Sequence, residues 1–538
     1  MATQNDRSNQ TSARVTTRTS GLHLAIFATM AFALCASAPT WAAAYFVDPV
    51  SGNDSNAGTA QTSAWRSVPG MSGTTSWGAI NSGNKVPAGS TIDIKAGSVF
   101  TGKRWLIDAT YYQSGTSSGR TTIRVSPTWG AGNVVIDGKG ATVPQYNGGV
   151  QVSSGMNYIT LSGADQTRRL EIKNYSGHAA VLFYQGSGPT TRAVWNEFKW
   201  FDVHNNSSNG IVTDWQDSLL VEDGLTHDNG ALEGAGVGTD GAGMLIGDAD
   251  DAGGANNVIR RVKAYNNGAG ANPNDGSIAI GFQQTGSTNL LFDSCEAYGN
   301  GRDGFDGGRA DNAGDSSLTF VNNYSHDNGE DGFGLNGGPT GNVVAKHINT
   351  ISVRNGQSNW NVYDGAHIEL YNSVGLASAV NFSAFASYSG WPVPTIKVRN
   401  SYLRVLSSGR QVQYYNTAAG WPPFDTDYNV WAPSAGNSER WDNATTASYS
   451  APPTWIGLHD KLGIANVQAF VNVAADDYRL ADSTGPANKA GVYISSPSVA
   501  LYDRAGVLRT NPPDIGAYQF GSGASTRLPA PGNLRVQQ

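Results

Sequence analysis

The amino-acid sequence predicts an all-β protein in which short strands coil into a solenoid, and two observations support this. A phrase ending in Asn-Asn-Gly, or in a close variant, recurs through the middle of the chain, and its final Asn falls at positions 206, 229, 267, 300, 328 and 355. Intervals of 23, 38, 33, 28 and 27 residues separate these positions, as in solenoid repeats with loop insertions in the longer intervals. The segments between the repeats lack helical periodicity.

Each repeat predicts a strand, a corner and a second strand. The run Leu290–Asp293 is β-rich and precedes the corner Asn300-Gly301, after which Gly304-Phe305 begins another short strand. Asn and Gly tolerate left-handed backbone angles, so an Asn-Gly pair allows the chain to turn sharply. Because the repeats follow one another, we expect these corners to stack along the solenoid.

The composition fits one long, turn-dense domain. Gly accounts for 67 of 538 residues, charged residues for 14 % and hydrophobic residues for 39 %, which is enough for a continuous core. A solenoid grows by adding rungs, so it can absorb most of the chain in one unit. Cys295 is the only Cys after residue 44, so no internal disulfide is expected in the mature protein.

Residues 1–44 predict a signal peptide. The stretch from Gly21 to Ala44 is apolar, follows three Arg residues and ends in an Ala-x-Ala pattern that suits cleavage after Ala44. This stretch is short for a membrane span and contains His23 and Pro39. We therefore expect a secreted protein, extracellular or periplasmic, with no membrane span once the signal is removed.

The charge argues against a nucleic-acid partner. The chain has a formal net charge of −7, and removal of residues 1–44, with their three Arg and one Asp, takes it to −9. No cluster of basic residues is present to bind a phosphate backbone. An acidic protein can still bind an anionic polymer when a divalent cation inverts the local field. We expect the mature protein to be a monomer.

Segments at both ends of the mature chain have the alternation and turn residues of β-helix rungs. They are Tyr45–Asn56, Val86–Gly97, Asp425–Trp431, Asp477–Leu480 and Pro513–Tyr518. Together they resemble secreted right-handed parallel β-helix proteins that act on polysaccharides. The resemblance implies a right-handed parallel β-helix with an N-terminal cap over residues 45–520, with closing rungs near its end and a polysaccharide as partner. Residues 521–538 indicate a linker or the truncated start of a further module.

The densest acidic motif is Arg302-Asp303-Gly304-Phe305-Asp306. Alignment of the repeats by their Gly corners places Asp275-Gly276, Asp303-Gly304 and Asp331-Gly332 above one another, about 4.8 Å apart. Stacked carboxylates repel, and a shared Ca²⁺ with several oxygen ligands is one remedy. A ladder of solvated Asp-Gly turns is the alternative.

This spacing resembles the family-nine pectate lyases, which are calcium-dependent β-helix enzymes. The resemblance implies that Asp303 and Asp306 are calcium ligands and that Asp275 is the ligand from the preceding rung. The family carries its catalytic lysine in Asn-Gly-Phe-Lys-Leu-Gly-Gly. In the matching segment Asp331–Gly338 of this chain, Gly334 stands at the lysine position, so the family's base is missing.

Other residues near this motif have to supply the missing chemistry. Arg302, Arg309 and Asp331 are the catalytic candidates, although Arg is a poor base and its alternative role is to bind substrate carboxylates. His326 and Asn336 are candidates for substrate binding, and His326 is equally placed to fill a corner. Further aromatic residues could stack on sugar rings or pack in the core; these are Trp360, Tyr363, Trp391 and Trp421.

The leading functional hypothesis is an exported, calcium-dependent polysaccharide lyase that cleaves a uronate-containing glycan by β-elimination. A glycoside hydrolase that uses paired Asp residues is the second enzyme class. The third hypothesis is a non-catalytic glycan-binding or surface protein that has kept the groove.

Overall fold

The computed structural model describes residues 42–184, 192–230, 241–247, 254–268, 279–307, 316–338, 343–386, 391–406, 409–416, 423–433, 441–443, 447–449, 454–463 and 466–523. Within these ranges the chain forms three sheets of 13 strands each, and it has short 3-10 helices but no α-helix. Each turn of the coil adds one strand to sheet 1, one to sheet 2 and one to sheet 3, in that order. The predicted right-handed parallel β-helix is confirmed.

The strands of sheet 1 are Ala44–Val47, Thr91–Ala96, Thr121–Gly130, Ile159–Ser162, Glu197–Lys199, Leu220–Glu222, Val258–Arg260, Leu290–Asp293, Ser316–Val321, Val343–Ile348, Ala366–Tyr371, Thr395–Arg399 and Phe424–Asp427. Those of sheet 2 are Val99–Thr101, Val134–Asp137, Leu170–Lys173, Phe201–His204, Leu225–His227, Lys263–Tyr265, Glu296–Tyr298, Tyr324–His326, Ile351–Val353, Val374–Ala377, Tyr402–Val405, Val430–Ala432 and Lys461–Leu462. Those of sheet 3 are Trp105–Ile107, Gly148–Val152, Ala179–Phe183, Asn209–Thr213, Met244–Ile246, Phe282–Gln284, Phe305–Gly307, Phe333–Asn336, Ser358–Tyr363, Val380–Ala386, Arg410–Asn416, Trp441–Asn443 and Ala447–Tyr449.

Pairing within these sheets is parallel, except that the last two strands of sheet 3 are antiparallel. Outside them, two small parallel ladders pair Ala193–Val194 with Gln216–Asp217 and Gly254–Ala255 with Ser287–Thr288. Among the described residues, 3-10 helices span Gln61–Ser63, Val473–Ala475 and Ser498–Leu501. Within the described part of the chain, no helical segment has the length and hydropathy of a membrane-spanning helix. The predicted signal peptide covers residues 1–44, of which residues 1–41 lie outside the described part of the chain.

The N-terminal end of the coil is closed by the predicted cap. Trp65 and Trp77 are fully buried there. Trp65 stacks on Tyr45 with 4.6 Å between ring centroids, and the indole Nε1 of Trp77 donates a hydrogen bond to Ser67 Oγ at 2.8 Å. These large side chains cover the apolar end of the first rung, which would otherwise face water.

The core consists of columns in which the same kind of side chain recurs on every rung. In sheet 3 the inward rings of Phe282, Phe305 and Phe333 stack at 4.9 and 4.8 Å. In sheet 1 the rings of Phe320 and His347 stack at 4.4 Å, and the two columns meet edge to face. Because the register places like residues about one rung apart, each ring packs against a similar ring above and below.

A buried asparagine ladder forms the corner between sheets 2 and 3. Its members are the repeat residues that the sequence singles out: Asn206, Asn229, Asn267, Asn300, Asn328 and Asn355. Asn300 Oδ1 accepts hydrogen bonds from both the backbone N–H and the Nδ2 of Asn267, at 3.1 and 3.0 Å. Asn328 Oδ1 likewise accepts hydrogen bonds from the backbone N–H and the Nδ2 of Asn300. The prediction that these corners stack is confirmed.

The residue before the ladder asparagine is left-handed at this corner, and on two rungs the Gly that follows the asparagine, Gly230 or Gly268, is left-handed as well. The φ angle is +54° at Asn266, +64° at Gly299 and +53° at Asp327. The turn is therefore made one residue earlier than the Asn-Gly pair suggests. This arrangement leaves the ladder side chain free to point inward, where it satisfies the backbone of the neighbouring rung.

Residues 466–523 do not close the coil but run along the outer side of sheet 2. Asp477–Leu480 pairs antiparallel with Phe470–Asn472, and no strand falls within 513–518, so the prediction of closing rungs at these segments is wrong. The physical reason is an apolar outer face that needs cover. Tyr478 and Ile515 are buried in a cluster with Val374 and Tyr402 of sheet 2, separate from the core.

We predict that Asn300→Ala lowers the free energy of unfolding by at least about 2 kcal/mol, because it leaves buried groups of Asn267 and the Ala264 carbonyl without this partner. Denaturant unfolding followed by circular dichroism measures the change. The control is Asn53→Ala in an exposed turn, where one bond from the Ser55 N–H is lost; a change below about 0.5 kcal/mol is expected. Equal effects at both positions would contradict a structural role for the ladder.

A second prediction concerns His347, whose pKa burial lowers to about 3. The unfolded chain binds a proton at an ordinary pKa of about 6.5, so the folded state loses stability as the pH falls from there towards 3. In the His347→Phe variant a Phe ring extends the Phe320 stack and cannot bind a proton. As the pH falls through this window, we expect its free energy of unfolding to decrease by up to about 1.4 kcal/mol per pH unit less than that of the wild type. Phe320→Leu in the same stack should lower stability equally at every pH. Parallel stability curves for wild type and His347→Phe would contradict the prediction.

Candidate functional site

The register of sheet 3 decides which acidic residues stack. Phe305 pairs with Phe282 on the preceding rung and with Phe333 on the following rung. Asp303 and Asp331, each two residues before their Phe, therefore lie on consecutive rungs at the corner between sheets 2 and 3. This part of the predicted alignment is confirmed.

The residue in line with Asp303 on the preceding rung is Ile280, so the predicted alignment of Asp275-Gly276 with Asp303-Gly304 is wrong. The backbone shows this directly, because the N–H of Gly281 donates to the Asp303 carbonyl at 3.0 Å. The reason is an insertion at 269–278, which separates the Asn-Gly corner from its strand on that rung, as residues 231–240 do on the rung before it. Asp275 itself lies outside the described residues, as does Arg309.

Asp303 and Asp331 each cap the backbone of the next rung. Asp303 Oδ1 accepts the N–H of Asp331 at 2.9 Å, and Asp331 Oδ1 accepts the N–H of Ser358 at 2.9 Å. The second oxygen of Asp331 accepts a hydrogen bond from Asn361 Nδ2 at 2.5 Å. The two carboxylates thus continue at this corner the role that amides play in the asparagine ladder.

These carboxylates are held in an environment that opposes their charge. Burial raises the pKa of Asp303 well above its ordinary value, and the negative charges of Asp331 and Asp306 raise it further. Burial likewise raises the pKa of Asp331 to about 6, although the bonds from Asn361 and Ser358 act in the opposite direction. The raised pKa values mean that the ionised form of these carboxyl groups is disfavoured here, and a bound cation would favour it.

Arg302 is the described cation next to this corner. Its Nε donates to Glu330 Oε2 at 3.1 Å. Burial acts to lower the pKa of Arg302, but Asp303, Glu330 and Asp306 together raise it. A guanidinium held in its charged form cannot accept a proton, so this placement favours a role in binding anionic groups over a role as base.

Asp306 and Gly334 are consecutive members of a column on the outer face of sheet 3. A Cβ at Gly334 would lie 3.1 Å from Asp306 Oδ1, so the Asp306 carboxylate lies against the bare Cα of the next rung. The following member of the column is Asn361, and Asn336 pairs with Tyr363 two residues further along the strands. The outer face therefore carries Asp306, a gap at Gly334, and then Asn361 and Tyr363.

Asn361 and Tyr363 are site residues whose roles the sequence did not reveal. Asn361 Nδ2 donates to the Tyr363 hydroxyl at 3.2 Å as well as to Asp331. Asn361 Oδ1 is buried and has no hydrogen-bond partner in the described part of the chain. Burial and the nearby charges of Asp331, Asp303 and Asp306 raise the pKa of Tyr363 to about 12. The last repeat interval is 27 residues, and the same interval counted from Gly334 leads to Asn361. The sequence does not mark this rung, because it has Ser-Asn-Trp where the preceding rung has Asp-Gly-Phe.

The two predicted substrate-binding residues have different surroundings. His326 lies on the outer face of sheet 2, where Tyr298 stacks on it at 4.9 Å and Asp327 and Glu296 contact its two ring nitrogens. This geometry favours the alternative role of a corner filler. Asn336 lies on the outer face of sheet 3, and its Oδ1 accepts the N–H of Gly338 at 3.2 Å. Its role in binding stays a prediction.

The other aromatic candidates divide in the same way. Trp360 is fully buried in the core column of sheet 3, so it is a packing residue. Tyr363 is half-buried and stacks on Phe385 with 4.7 Å between centroids. Phe385 in turn stacks on Tyr415 at 4.6 Å. Trp391 is half-buried, and Trp421 lies outside the described residues.

The fit of a metal ion to this corner is partial. Asp303 and Asp306 supply carboxylate oxygens, which suit Ca²⁺. The described ranges contain no group of three or more His, Cys, Asp or Glu side chains placed to hold a metal ion. Any further side-chain carboxylate would have to come from beyond those ranges, as the prediction for Asp275 requires.

The fold has counterparts among solved structures. The chain aligns with pectate lyase Pel9A at 16 % identity and a TM-score of 0.46, over 89 % of this chain and 96 % of that one. It aligns with the A-module of mannuronan C-5 epimerase AlgE6 from Azotobacter vinelandii at 15 % identity and a TM-score of 0.42, over 70 % and 90 %. For the GH136 lacto-N-biosidase from Eubacterium ramulus the identity is 11 % and the TM-score 0.38, over 78 % and 66 %. These likenesses describe the fold alone. No protein family matches the chain, and no curated protein matches it in sequence.

We predict that Asp303→Asn raises the thermal stability of the calcium-free protein at neutral pH. The amide keeps an oxygen that can accept the N–H of Asp331 and removes a charge that burial and two neighbouring carboxylates disfavour. A melting temperature measured in chelator tests this. Asp425→Asn, which alters an exposed ion pair with Arg399, is the control and should change little. A lower melting temperature for Asp303→Asn would contradict the conclusion that the ionised form of Asp303 is disfavoured.

Proposed function

We propose that this protein is an exported, calcium-dependent polysaccharide lyase that cleaves a uronate-containing glycan by β-elimination. The observation that carries the proposal is the concentration of Asp303, Asp306 and Asp331 on one outer edge of the coil, with raised pKa values at Asp303 and Asp331. A cation bound at this edge would offset the negative charge and could in turn bind the carboxylates of an acidic glycan. The elongated outer face of sheet 3 suits a chain-like ligand.

Asp303 and Asp306 are the residues that would hold the calcium ion. Asp303 Oδ1 is engaged with the N–H of Asp331, which fixes the carboxylate and leaves its second oxygen for a cation. When bound, calcium supplies positive charge that neutralises the uronate carboxylate and the enolate-like charge that develops during elimination. This cofactor assignment also offers a reason for keeping buried charges that destabilise the empty edge.

The chain's own residues have distinct roles in this proposal. Arg302, fixed by Glu330, binds a uronate carboxylate close to the acidic edge. Asp331, whose pKa is about 6, is the described group best suited to accept a proton near neutral pH. Gly334 leaves room on the outer face for the sugar ring. Arg309 stays the alternative base predicted from the sequence.

We expect the mature chain, beginning at Tyr45, to release unsaturated products from at least one uronate polymer. A panel of polygalacturonate, rhamnogalacturonan, alginate and a neutral glycan is incubated with calcium or with chelator, and ultraviolet absorbance and reducing ends are followed together. Chelator should abolish the absorbance increase. Asp306→Asn should lower kcat/KM by about 10²-fold, as expected for the loss of one charged group that stabilises the transition state. Asp425→Asn is the matched control.

The other outcomes of this assay identify the competing functions. Reducing ends without absorbance would indicate a glycoside hydrolase that uses the stacked Asp residues. Retained binding without any product would indicate a glycan-binding protein. Either result would overturn the lyase proposal, and calcium-independent cleavage would overturn its cofactor.

A further inference from the structure

The outer face of sheet 3 has a gap where the resemblance places a lysine. Gly334 carries no side chain, and Asp306 lies against it on one side. On the other side, one rung further along, Asn361 occupies the same column and Tyr363 lies two residues beyond it. The polar groups nearest the gap on the far side from Asp306 are therefore an amide and a phenol.

Tyr363 is held with its hydroxyl near the acidic corner. Asn361 Nδ2 donates to the phenol oxygen at 3.2 Å, and the same nitrogen donates to Asp331 Oδ2. Asp331, Asp303 and Asp306 all raise the pKa of Tyr363, so its oxygen is within electrostatic reach of the three carboxylates. At a pKa of about 12 the phenol keeps its proton at neutral pH. It is a proton donor under these conditions, not a base.

An unpartnered atom beside Tyr363 points independently to a ligand. Asn361 is only 3 % exposed, and its Oδ1 has no hydrogen-bond partner among the described residues. Buried amide oxygens almost always accept a hydrogen bond, so an open one calls for a donor. The atom is closed to solvent in this structure, so a sugar hydroxyl seated over Gly334 would supply that donor after a small shift of the Asn361 side chain. Asn361 would then contact the sugar through Oδ1 while its Nδ2 holds the phenol.

We propose that Tyr363 is the proton donor to the leaving glycosidic oxygen, and that Asn361 is the positioning residue that holds it. The inference rests on the proposed lyase function. It names the proton donor to the leaving group, which that function does not identify. It depends on the placement of the two side chains beside the gap at Gly334.

The chemical step balances without any further reactant. The base, Asp331 in the proposed function, removes the proton at C5 of the uronate, and the C5–H electron pair becomes the second bond between C4 and C5. The C4–O bond breaks, and its electron pair goes to the glycosidic oxygen. That oxygen takes the phenolic proton of Tyr363. The resulting phenolate, stabilised by the N–H of Asn361, regains a proton from water, and Asp331 releases the C5 proton to water, so both groups return to their starting states.

The competing explanation is that Tyr363 only packs. It is the first ring of the outer stack that continues through Phe385 and Tyr415. Phe385 shows that this column accepts a ring without a hydroxyl, so Tyr363→Phe should fold normally. The substitution therefore separates the two explanations, because it keeps the stack and removes the proton.

The test compares Tyr363→Phe with wild type on the uronate polymer that the wild type cleaves, drawn from polygalacturonate, rhamnogalacturonan and alginate. We expect kcat to fall by about 10²- to 10⁴-fold with KM changed less than about threefold. Tyr415→Phe, which removes a hydroxyl from the same stack, should retain wild-type kcat. A second substrate, the same uronate with fluoride at C4, needs no proton for departure of the leaving group. On it, Tyr363→Phe should lose less than about tenfold.

Each outcome decides between the two proposals. An unchanged kcat for Tyr363→Phe on the polymer would overturn the inference and leave the lyase function standing. An equal loss of kcat on the polymer and on the C4 fluoride would also overturn it. Damage to the aromatic stack would slow both reactions alike, whereas loss of a proton donor slows only the reaction whose leaving group needs a proton. Absence of unsaturated products from the wild type would overturn the proposed function, and this inference with it.

Asn361→Ser, which takes the side chain of Ser383 in the same column, releases both the phenol and Asp331, so kcat should fall on both substrates and fall further on the polymer, which alone needs the phenolic proton. An equal loss on both substrates would overturn the positioning role for the phenol.

Discussion

The structure depends on one constraint, which is that each buried backbone N–H at the corner between sheets 2 and 3 needs an acceptor on the next rung. Backbone carbonyls of the adjacent rung accept some of these groups, such as the N–H of Gly301, which donates to the Asn267 carbonyl at 3.0 Å, but the N–H of each ladder asparagine needs a different acceptor. A side-chain oxygen that reaches one rung back solves the problem. Asn300 does this for Asn267, and Asn328 does it for Asn300. The mutual hydrogen bonds fix the register, and the register in turn stacks the aromatic core.

The same constraint accounts for the position of the acidic residues. Asp303 and Asp331 accept backbone N–H groups of the following rung, whereas each ladder amide accepts the N–H of the preceding rung, so these carboxylates too are fixed by hydrogen bonds between rungs. A carboxylate in place of an amide adds a charge that burial opposes. An amide would have met the structural need without that charge. The presence of a carboxylate instead of a neutral amide on two consecutive rungs is therefore not required by the structure alone.

How far the sequence predicts the molecule can be judged at particular residues. The spacing of the Asn repeats predicts the ladder and the stacking of Asp303 on Asp331, because both follow from one residue pattern per rung. Asp275 was misaligned because an insertion at 269–278 separates corner from strand, and an Asp-Gly pair within an insertion looks like a true corner. Residues 513–518 have the pattern of a closing rung, since an apolar segment that covers an outer face has the same pattern as one that fills a core. Asn361 and Tyr363 carried no motif, and only the register connects them to the acidic corner.

The Gly at position 334 also affects the residue beside it, Asp306. The carboxylate of Asp306 lies so close to its Cα that even a methyl group would meet Oδ1 at 3.1 Å, so a larger side chain would displace Asp306. The absence of a side chain at Gly334 and the position of Asp306 are therefore one feature. A side chain at that point would require the Asp306 carboxylate to shift, whereas a residue on a neighbouring rung can compensate for the missing lysine without moving Asp306. Asn361 and Tyr363 occupy that rung, bonded to each other and to Asp331, which makes the acidic corner and the phenol a single connected group across three turns of the coil.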